Sequence, residues 1–152
     1  MMPPSETGPQ LYITCFNFSL NKTDKDCSPL VDIAFIIDSS GSIGRTNWER
    51  MKRFLKALVS RLDVSPSATH IAAIAYSTNP VVVMRFTGAQ DTNEVNRLFD
   101  GMVWQRGFTY TDKALQLADR DLFQTANGMR PNVAKVKLFA AKKLCGLYSV
   151  LM

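Results

Sequence analysis

The sequence predicts an α/β protein with a Rossmann-like, mostly parallel sheet and flanking helices. The first observation is the apolar run Ile33 to Ile37, which is short, unbroken and followed at once by polar residues. Such a run is typical of a strand buried on both faces, like the central strand of a parallel sheet. The second is another apolar run, Thr69 to Ser77, and the third is the amphipathic stretch between the two runs. Strand, helix and strand in alternation fit this fold class.

The amphipathic stretch is predicted to be a helix that begins with a capping box. Thr46 can cap the first helical amides, and Glu49, three residues later, can reach back toward Thr46. Pro66 ends the helical segment before the second strand. Apolar residues recur at helical spacing on one face: Met51, Phe54, Leu55, Leu58, Val59 and Leu62. The cations elsewhere on the helix are expected to form a solvated face: Lys52, Arg53, Lys56 and Arg61.

Three shorter elements are predicted after the second strand. The β-rich run Val81 to Phe86 follows a proline, which favours a short antiparallel strand at the edge of the sheet. A short helix is expected to start at Asp91 or Thr92, to run through Phe99 and to end at Gly101. A further helix is expected over Asp112 to Phe123.

Length and charge narrow the class of protein. A chain of 152 residues is expected to form one domain with a sizeable core. The formal charge of +5 reflects a basic end, because no acidic residue follows Asp121. That end carries no recognised nucleic-acid-binding module, so we expect a solvated segment and no nucleic-acid partner. No apolar stretch is long enough to span a bilayer, and the first residues make a poor signal peptide.

The polar residues after the first strand predict a metal site. Asp38, Ser40 and Ser42 follow the apolar run directly, at the end of a strand where α/β proteins bind their ligands. One carboxylate and two hydroxyls supply the hard oxygen ligands that suit Mg2+. The pattern Asp38-x-Ser40-x-Ser42 closely resembles the metal-ion-dependent adhesion site of von Willebrand factor type A domains, including the inserted domains of integrins.

A second segment extends this resemblance. Gly107-Phe108-Thr109-Tyr110-Thr111 is similar to the glycine-rich G-x-T-x-T loop of the family, in which the first threonine supplies a hydroxyl to the metal. The resemblance therefore implies Thr109 as the fourth ligand, while Thr111 is expected to cap the helix that follows.

The resemblance implies adhesion as the function. A cation held by these four residues, Mg2+ or alternatively Mn2+ or Ca2+, would bind an acidic residue of a protein ligand. The partner would be an extracellular matrix or cell-surface protein, with collagen as one candidate, and the chain would be secreted or extracellular.

The resemblance ends after Lys135-Val136. Family members continue with an apolar strand and a T-D-G segment whose aspartate completes the metal site, whereas Ala141 or Lys142 stands at that place here. We therefore expect weak metal binding and a domain that is incomplete at its C-terminus. The predicted organisation is a leader over residues 1–28, a partial type A domain over 29–136 and a divergent basic and apolar tail over 137–152. The alternative is a non-adhesive truncated isoform or fragment with a defective metal site.

The leader carries candidate modification sites. Asn17 and Asn21 lie in two glycosylation sequons, which matter only if the chain is secreted. Cys15 and Cys27 could form a disulfide, although the resemblance also implies a pairing of Cys27 with a cysteine beyond the last helix, here Cys145.

Catalysis is not expected. The serines after the first strand lack the G-x-S-x-G elbow of serine hydrolases. His70 is the only histidine, so a zinc site or a catalytic triad would lack its partners, and we expect this residue to be structural or exposed.

Overall fold

The structure is a computed structural model that describes residues 30–88 and 90–141, together with the backbone of residues 150–151. The sequons at Asn17 and Asn21, and the cysteines Cys15, Cys27 and Cys145, lie outside the described residues. The helices and strands are β1 (Val31–Asp38), α1 (Arg45–Val59), β2 (Thr69–Tyr76), β3 (Pro80–Met84), α2 (Thr92–Gly101), α3 (Thr111–Leu117), β4 (Ala134–Ala140) and β5 (Val150–Leu151). A π-helical turn, Ala118–Leu122, extends α3, and a short 3-10 turn, Gly41–Ile43, follows β1.

The sheet confirms the predicted fold class. Its strand order is β3-β2-β1-β4-β5. β1 lies at the centre and pairs in parallel with β2 on one side and β4 on the other. The two outer strands, β3 and β5, run antiparallel to their neighbours. The apolar run of β1 is therefore buried from both sides, as its composition requires.

Helices cover both faces of the sheet. Side chains of β1 alternate, so Phe35 points to one face and Ile36 to the other. The first face packs against α1 and α2, where Phe35 meets Phe99 edge to face with ring centroids 5.6 Å apart. The second face packs against α3 and its π-helical extension through Ala114, Ala118 and Leu122. The result is three layers with the sheet in the middle.

Helix α1 differs from its prediction at two points. It begins at Arg45, its N-cap is Gly44, and no side chain caps it, so the capping box predicted at Thr46 and Glu49 is wrong. The reason is that the 3-10 turn after β1 leads straight into the helix through Gly44, whose φ of 75° suits glycine. Phe54 was predicted on the buried face but is 50% exposed.

The other predicted elements are close to those observed. β3 forms the predicted antiparallel edge strand but stops at Met84, because Phe86 turns inward and packs against Phe123 at 5.9 Å. Helix α2 starts as expected, with the Asp91 carboxylate accepting the amide hydrogens of Asn93 and Glu94 at 2.9 and 3.1 Å.

An ion pair with a buried carboxylate stabilises the sheet at the amino ends of its parallel strands. Asp32 in β1 is fully buried and accepts hydrogen bonds from the backbone amide of Arg130 at 2.7 Å and from its Nε at 2.8 Å. The same guanidinium donates to the carbonyl oxygens of Val31 and Ala68. Arg130 therefore joins the segment before β4 to both β1 and β2, and it is not part of a solvated basic end.

Strand β4 crosses the boundary expected after Val136. It pairs with β1 from Ala134, opposite Val31, to Ala140, opposite Ile37. Side chains of β4 alternate between the two faces of the sheet. Val136 and Leu138 pack against one core cluster and Phe139 against the other, and this packing holds the strand in the sheet as far as Ala140. The side of β1 that faces away from β2 is therefore covered along its length.

Candidate metal centre

Three of the four predicted ligands lie together at the carboxyl end of β1. The Asp38 carboxylate is 5% exposed, and its Oδ1 accepts the amide hydrogen of Ser40 at 2.8 Å. This bond turns the chain so that the hydroxyl oxygens of Ser40 and Ser42 stand 3.1 Å apart. Ser40 is fully buried, whereas Ser42 is exposed on the 3-10 turn. Asp38, Ser40 and Ser42 together form a cluster of oxygen atoms, which we call the nest; its base is buried and its outer side is open to solvent.

Thr109 lies on the loop between α2 and α3, and its side chain is exposed. Backbone hydrogen bonds hold this loop against residues 39–42, the segment after β1 that we call the metal loop. The amide of Gly41 donates to the carbonyl of Gly107 at 2.9 Å, and the amide of Arg106 donates to the carbonyl of Ser39, also at 2.9 Å. These bonds place the segment that carries Thr109 beside the loop that carries the other three residues.

The turn in that loop depends on glycine at one position. Arg106 and Gly107 both have positive φ, of 61° and 83°. A Cβ on Gly107 would stand 2.5 Å from the hydroxyl oxygen of Thr78, closer than real contacts allow. The same hydroxyl accepts the amide hydrogen of Phe108 at 3.1 Å. Gly107 therefore allows the loop to approach the turn between β2 and β3 closely enough to meet the metal loop.

Ser39 is the residue that the sequence reasoning missed. It is fully buried, and its amide donates to the carbonyl of Tyr76 at 2.7 Å. Its hydroxyl oxygen accepts the amide hydrogen of Gln105 at 2.8 Å, which ties the two loops together a second time. The indole Nε1 of Trp104 completes the junction by donating to the carbonyl of Ser40 at 3.0 Å. The sequence does show a serine at position 39, but its hydrogen-bond partners, Tyr76 and Gln105, are too distant in sequence for its role to be predicted.

Thr111 does not cap α3, contrary to the prediction. The N-cap position is Tyr110, and no side chain caps the helix. Thr111 instead donates its hydroxyl hydrogen to the phenolic oxygen of Tyr76 at 3.2 Å. Tyr76 pairs with Asp38 in the sheet, so the phenol lies beside the metal loop. Burial raises the pKa of Tyr76 and the nearby Asp38 charge raises it further, while the hydrogen bond from Thr111 lowers it.

The described residues at the end of β4, Ala140 and Ala141, are uncharged. Ile37 pairs with Ala140, so one further step along the two strands sets Ala141 level with Asp38. Within the described ranges, no group of three or more histidine, cysteine or acidic side chains could hold a metal. The donor set is one carboxylate with neutral hydroxyls. These hard oxygens fit Mg2+ or Mn2+ in kind, but they offer one negative charge where two would hold the ion better.

The fold and this edge of the sheet define the class of protein: a Rossmann-like α/β domain with a hydroxyl-rich nest at the carboxyl end of its central strand. The family model described as the von Willebrand factor type A domain matches residues 32–141. The chain belongs to this family. The match extends five residues beyond the boundary expected at Val136.

Relatives in the family are proteins of adhesion and of the extracellular matrix. The chain is 35% identical to von Willebrand factor of Rattus norvegicus over 104 residues, which cover 68% of this chain and 24% of that protein. It is 33% identical to integrin alpha-2 of Bos taurus over 112 residues, which cover 72% of this chain and 9% of the integrin. It is 29% identical to matrilin-1 of Gallus gallus over 126 residues, 78% of this chain and 26% of that protein. The chain thus spans about a quarter or less of each of these relatives.

Solved structures share the fold. Proximal thread matrix protein 1 from the mussel byssus superposes with a TM-score of 0.68 and 25% identity, covering 75% of this chain and 29% of that one, in a form with a zinc-occupied adhesion-site motif. Another crystal form of that protein gives a TM-score of 0.69 at 21% identity, covering 74% of this chain and 30% of that one. Divalent metal binding at this motif therefore occurs in the family. In the part of this chain that the structure describes, no helix is both long and apolar enough to cross a membrane.

Proposed function

We propose that this chain is an extracellular protein-binding module that uses a divalent cation to hold a carboxylate of its ligand, and that it is not an enzyme. The observation that carries the proposal is the nest formed by Asp38, Ser40 and Ser42. Its base is buried and its mouth is open, so a bound cation would keep one face free for a ligand.

The roles of the residues follow from their positions. Asp38 is the carboxylate nearest the centre of the nest, and one of its oxygens already holds the Ser40 amide, which fixes its orientation. Ser40 and Ser42 would offer their hydroxyl oxygens to the cation, and Thr109 would offer a third from the neighbouring loop. The cation itself, Mg2+ or alternatively Mn2+ or Ca2+, would supply positive charge to the ligand carboxylate.

The partner is proposed from the relatives. An integrin, a matrilin and a byssus matrix protein suggest a matrix or cell-surface protein that presents an acidic side chain, with collagen as one candidate. Secretion, and glycosylation at Asn17 and Asn21, belong to the same proposal.

A second function rests on a specific observation. The family resemblance places an aspartate at Ala141 or Lys142, and Ala141 follows the residue that pairs with Ile37, so among the described residues Asp38 supplies the single negative charge of the nest. A type A domain with such a site could serve as a non-adhesive form whose metal site does not operate. The two functions differ in one measurable property, the binding of a cation by the folded chain.

The test is thermal unfolding with and without Mg2+ or Mn2+. A ligand that binds only the folded state raises Tm, and a tenfold excess over Kd contributes about 1.4 kcal/mol. Asp38→Ala should abolish that rise. Asp112→Ala is the matched control, since it removes the same charge from an exposed position in the first turn of α3. A Tm that does not respond to either metal in the parent chain would favour the non-adhesive form.

Ligand binding is the second stage of the same test. Immobilised collagen should retain the parent chain in Mg2+ and release it when EDTA removes the metal. Retention that EDTA leaves unchanged, or that Asp38→Ala does not weaken, would contradict metal-dependent adhesion to collagen.

A further inference from the structure

A cavity of about 290 Å³ adjoins the metal loop. It lies between the first turn of α1 and the loop that follows α2. Apolar and charged side chains line it together: Arg45, Trp48, Glu49, Met102, Val103, Trp104 and Arg106. The proposed metal ligands are not part of this lining, so the cavity is a separate feature on the same side of the molecule.

Two of the residues that line the cavity form hydrogen bonds with the metal loop. The indole of Trp104 donates to the carbonyl of Ser40, and the backbone amide of Arg106 donates to the carbonyl of Ser39. Because these bonds are short and the serines are buried, the cavity is held in a fixed position beside the nest. A segment of a protein ligand that reaches the nest can therefore contact the cavity as well.

The side chains that line the cavity carry a net positive charge, which comes from Arg45 and Arg106. The carboxylate of Glu49 is 3.1 Å from the ammonium of Lys52, which offsets its charge. Neither Arg45 nor Arg106 forms an ion pair with any residue in the described ranges. The guanidinium of Arg106 lies over the ring of Trp104, 4.9 Å from the ring centroid, which fixes its position.

We propose that this cavity binds a second acidic side chain of the same protein ligand whose first carboxylate occupies the metal site. This inference rests on the proposed function and adds the charge pattern of the ligand to it. An arginine fork binds a carboxylate through two parallel hydrogen bonds, and an anion between two arginines also relieves their mutual repulsion.

The apolar walls favour an acidic peptide over a free inorganic anion. Met102, Trp104 and the 76%-exposed Val103 offer contact to the methylene groups of a glutamate or aspartate side chain. A small ion would leave that surface uncovered. The ligand predicted from the two sites is therefore a segment with two nearby acidic residues, and not one with a single acid.

The test uses the fluorescence of the two tryptophans, Trp48 and Trp104, because both line the cavity and the chain has no others. The probes are a glycine peptide with one glutamate and a series in which a second glutamate stands one to four residues away. Both are titrated in Mg2+ and in EDTA. The best two-acid peptide should bind about three- to fivefold tighter than the one-acid peptide for each arginine engaged, as a partly exposed ion pair of up to about 1 kcal/mol allows.

Arg45→Gln and Arg106→Gln should remove this gain and leave the one-acid peptide unaffected. Lys113→Gln is the matched control: its ammonium lies over the Tyr110 ring, 4.4 Å from the centroid, and it does not line the cavity. An equal loss in the control would show a general charge effect and overturn the inference. A gain that survives in the double arginine variant would also overturn it, as would quenching by a heparin oligosaccharide when no peptide quenches.

The design separates this inference from the proposed function. If the one-acid peptide bound in a metal-dependent way and a second acid gave no gain in affinity, the inference about the cavity would be refuted. The proposal of metal-dependent adhesion would still stand. Binding of the two-acid peptide in EDTA that depends on Arg45 and Arg106 would support the subsite even if the chain bound no metal.

Discussion

Ala141→Asp should strengthen binding of Mg2+ at the nest. Ile37 pairs with Ala140 in the parallel β1–β4 ladder, so Ala141 is level with Asp38, and neighbouring strands lie about 4.8 Å apart. A new carboxylate at this position would stand about 5 Å from a cation beside Asp38. Of the two candidates for the missing acid, Ala141 lies in the described part of the chain, and Lys142 lies outside it.

The magnitude follows from the exposure of the site. The nest opens to solvent at Ser42, so the dielectric constant that applies is close to that of water. There, a carboxylate about 5 Å from a doubly charged ion contributes about 1.7 kcal/mol, which corresponds to roughly a fifteenfold lower Kd. Before metal is added, the same substitution should lower Tm, because two carboxylates then face each other across the ladder.

Isothermal titration calorimetry with Mg2+ and with Mn2+ measures the effect. Ala141→Asn is the matched control, since it has the same shape without the charge and should leave Kd within about twofold of the parent value. If Asp and Asn gave the same Kd, or if the parent chain already bound Mg2+ as tightly as Ala141→Asp, the reasoning about the missing charge would be refuted.

Two further predictions concern stability. Arg130→Met should lower the free energy of unfolding by about 3–5 kcal/mol in urea titrations, because it leaves the fully buried Asp32 carboxylate without its cation. Arg97→Met, which breaks an exposed pair with Glu94, should leave the urea midpoint close to that of the parent chain, and an equal loss of stability in both variants would contradict the assigned role of burial. The raised pKa of Tyr76 favours the protonated phenol in the folded state, so its contribution to stability is present below pH 10.0, the ordinary pKa, and is lost as pH rises through the folded value. Tyr76→Phe should therefore flatten the loss of Tm in alkaline solution, and an unchanged alkaline slope would show that another group causes it.

Local pattern was sufficient for the elements of the fold. The apolar run of β1, the β-rich run of β3 and the Asp91 cap of α2 each depend on residues close together in sequence, and the structure has each of these elements. Two of the wrong predictions concern helix starts. Thr46 and Thr111 both have the chemistry of a cap, but the turn after β1 and the phenol of Tyr76 decide their positions instead.

The sequence by itself determined the fold class and the family, and it named the candidate oxygen ligands at the end of β1, because these depend on short-range periodicity and on a five-residue motif. Only the tertiary structure decided how the two loops are joined, since Ser39 and Gln105 bond across 66 residues of chain. It also placed Ala141 level with Asp38 and brought Arg45 and Arg106 together in the lining of a cavity beside the nest. The physical reason is that the order and register of the strands set which distant residues meet, and no local pattern encodes that order.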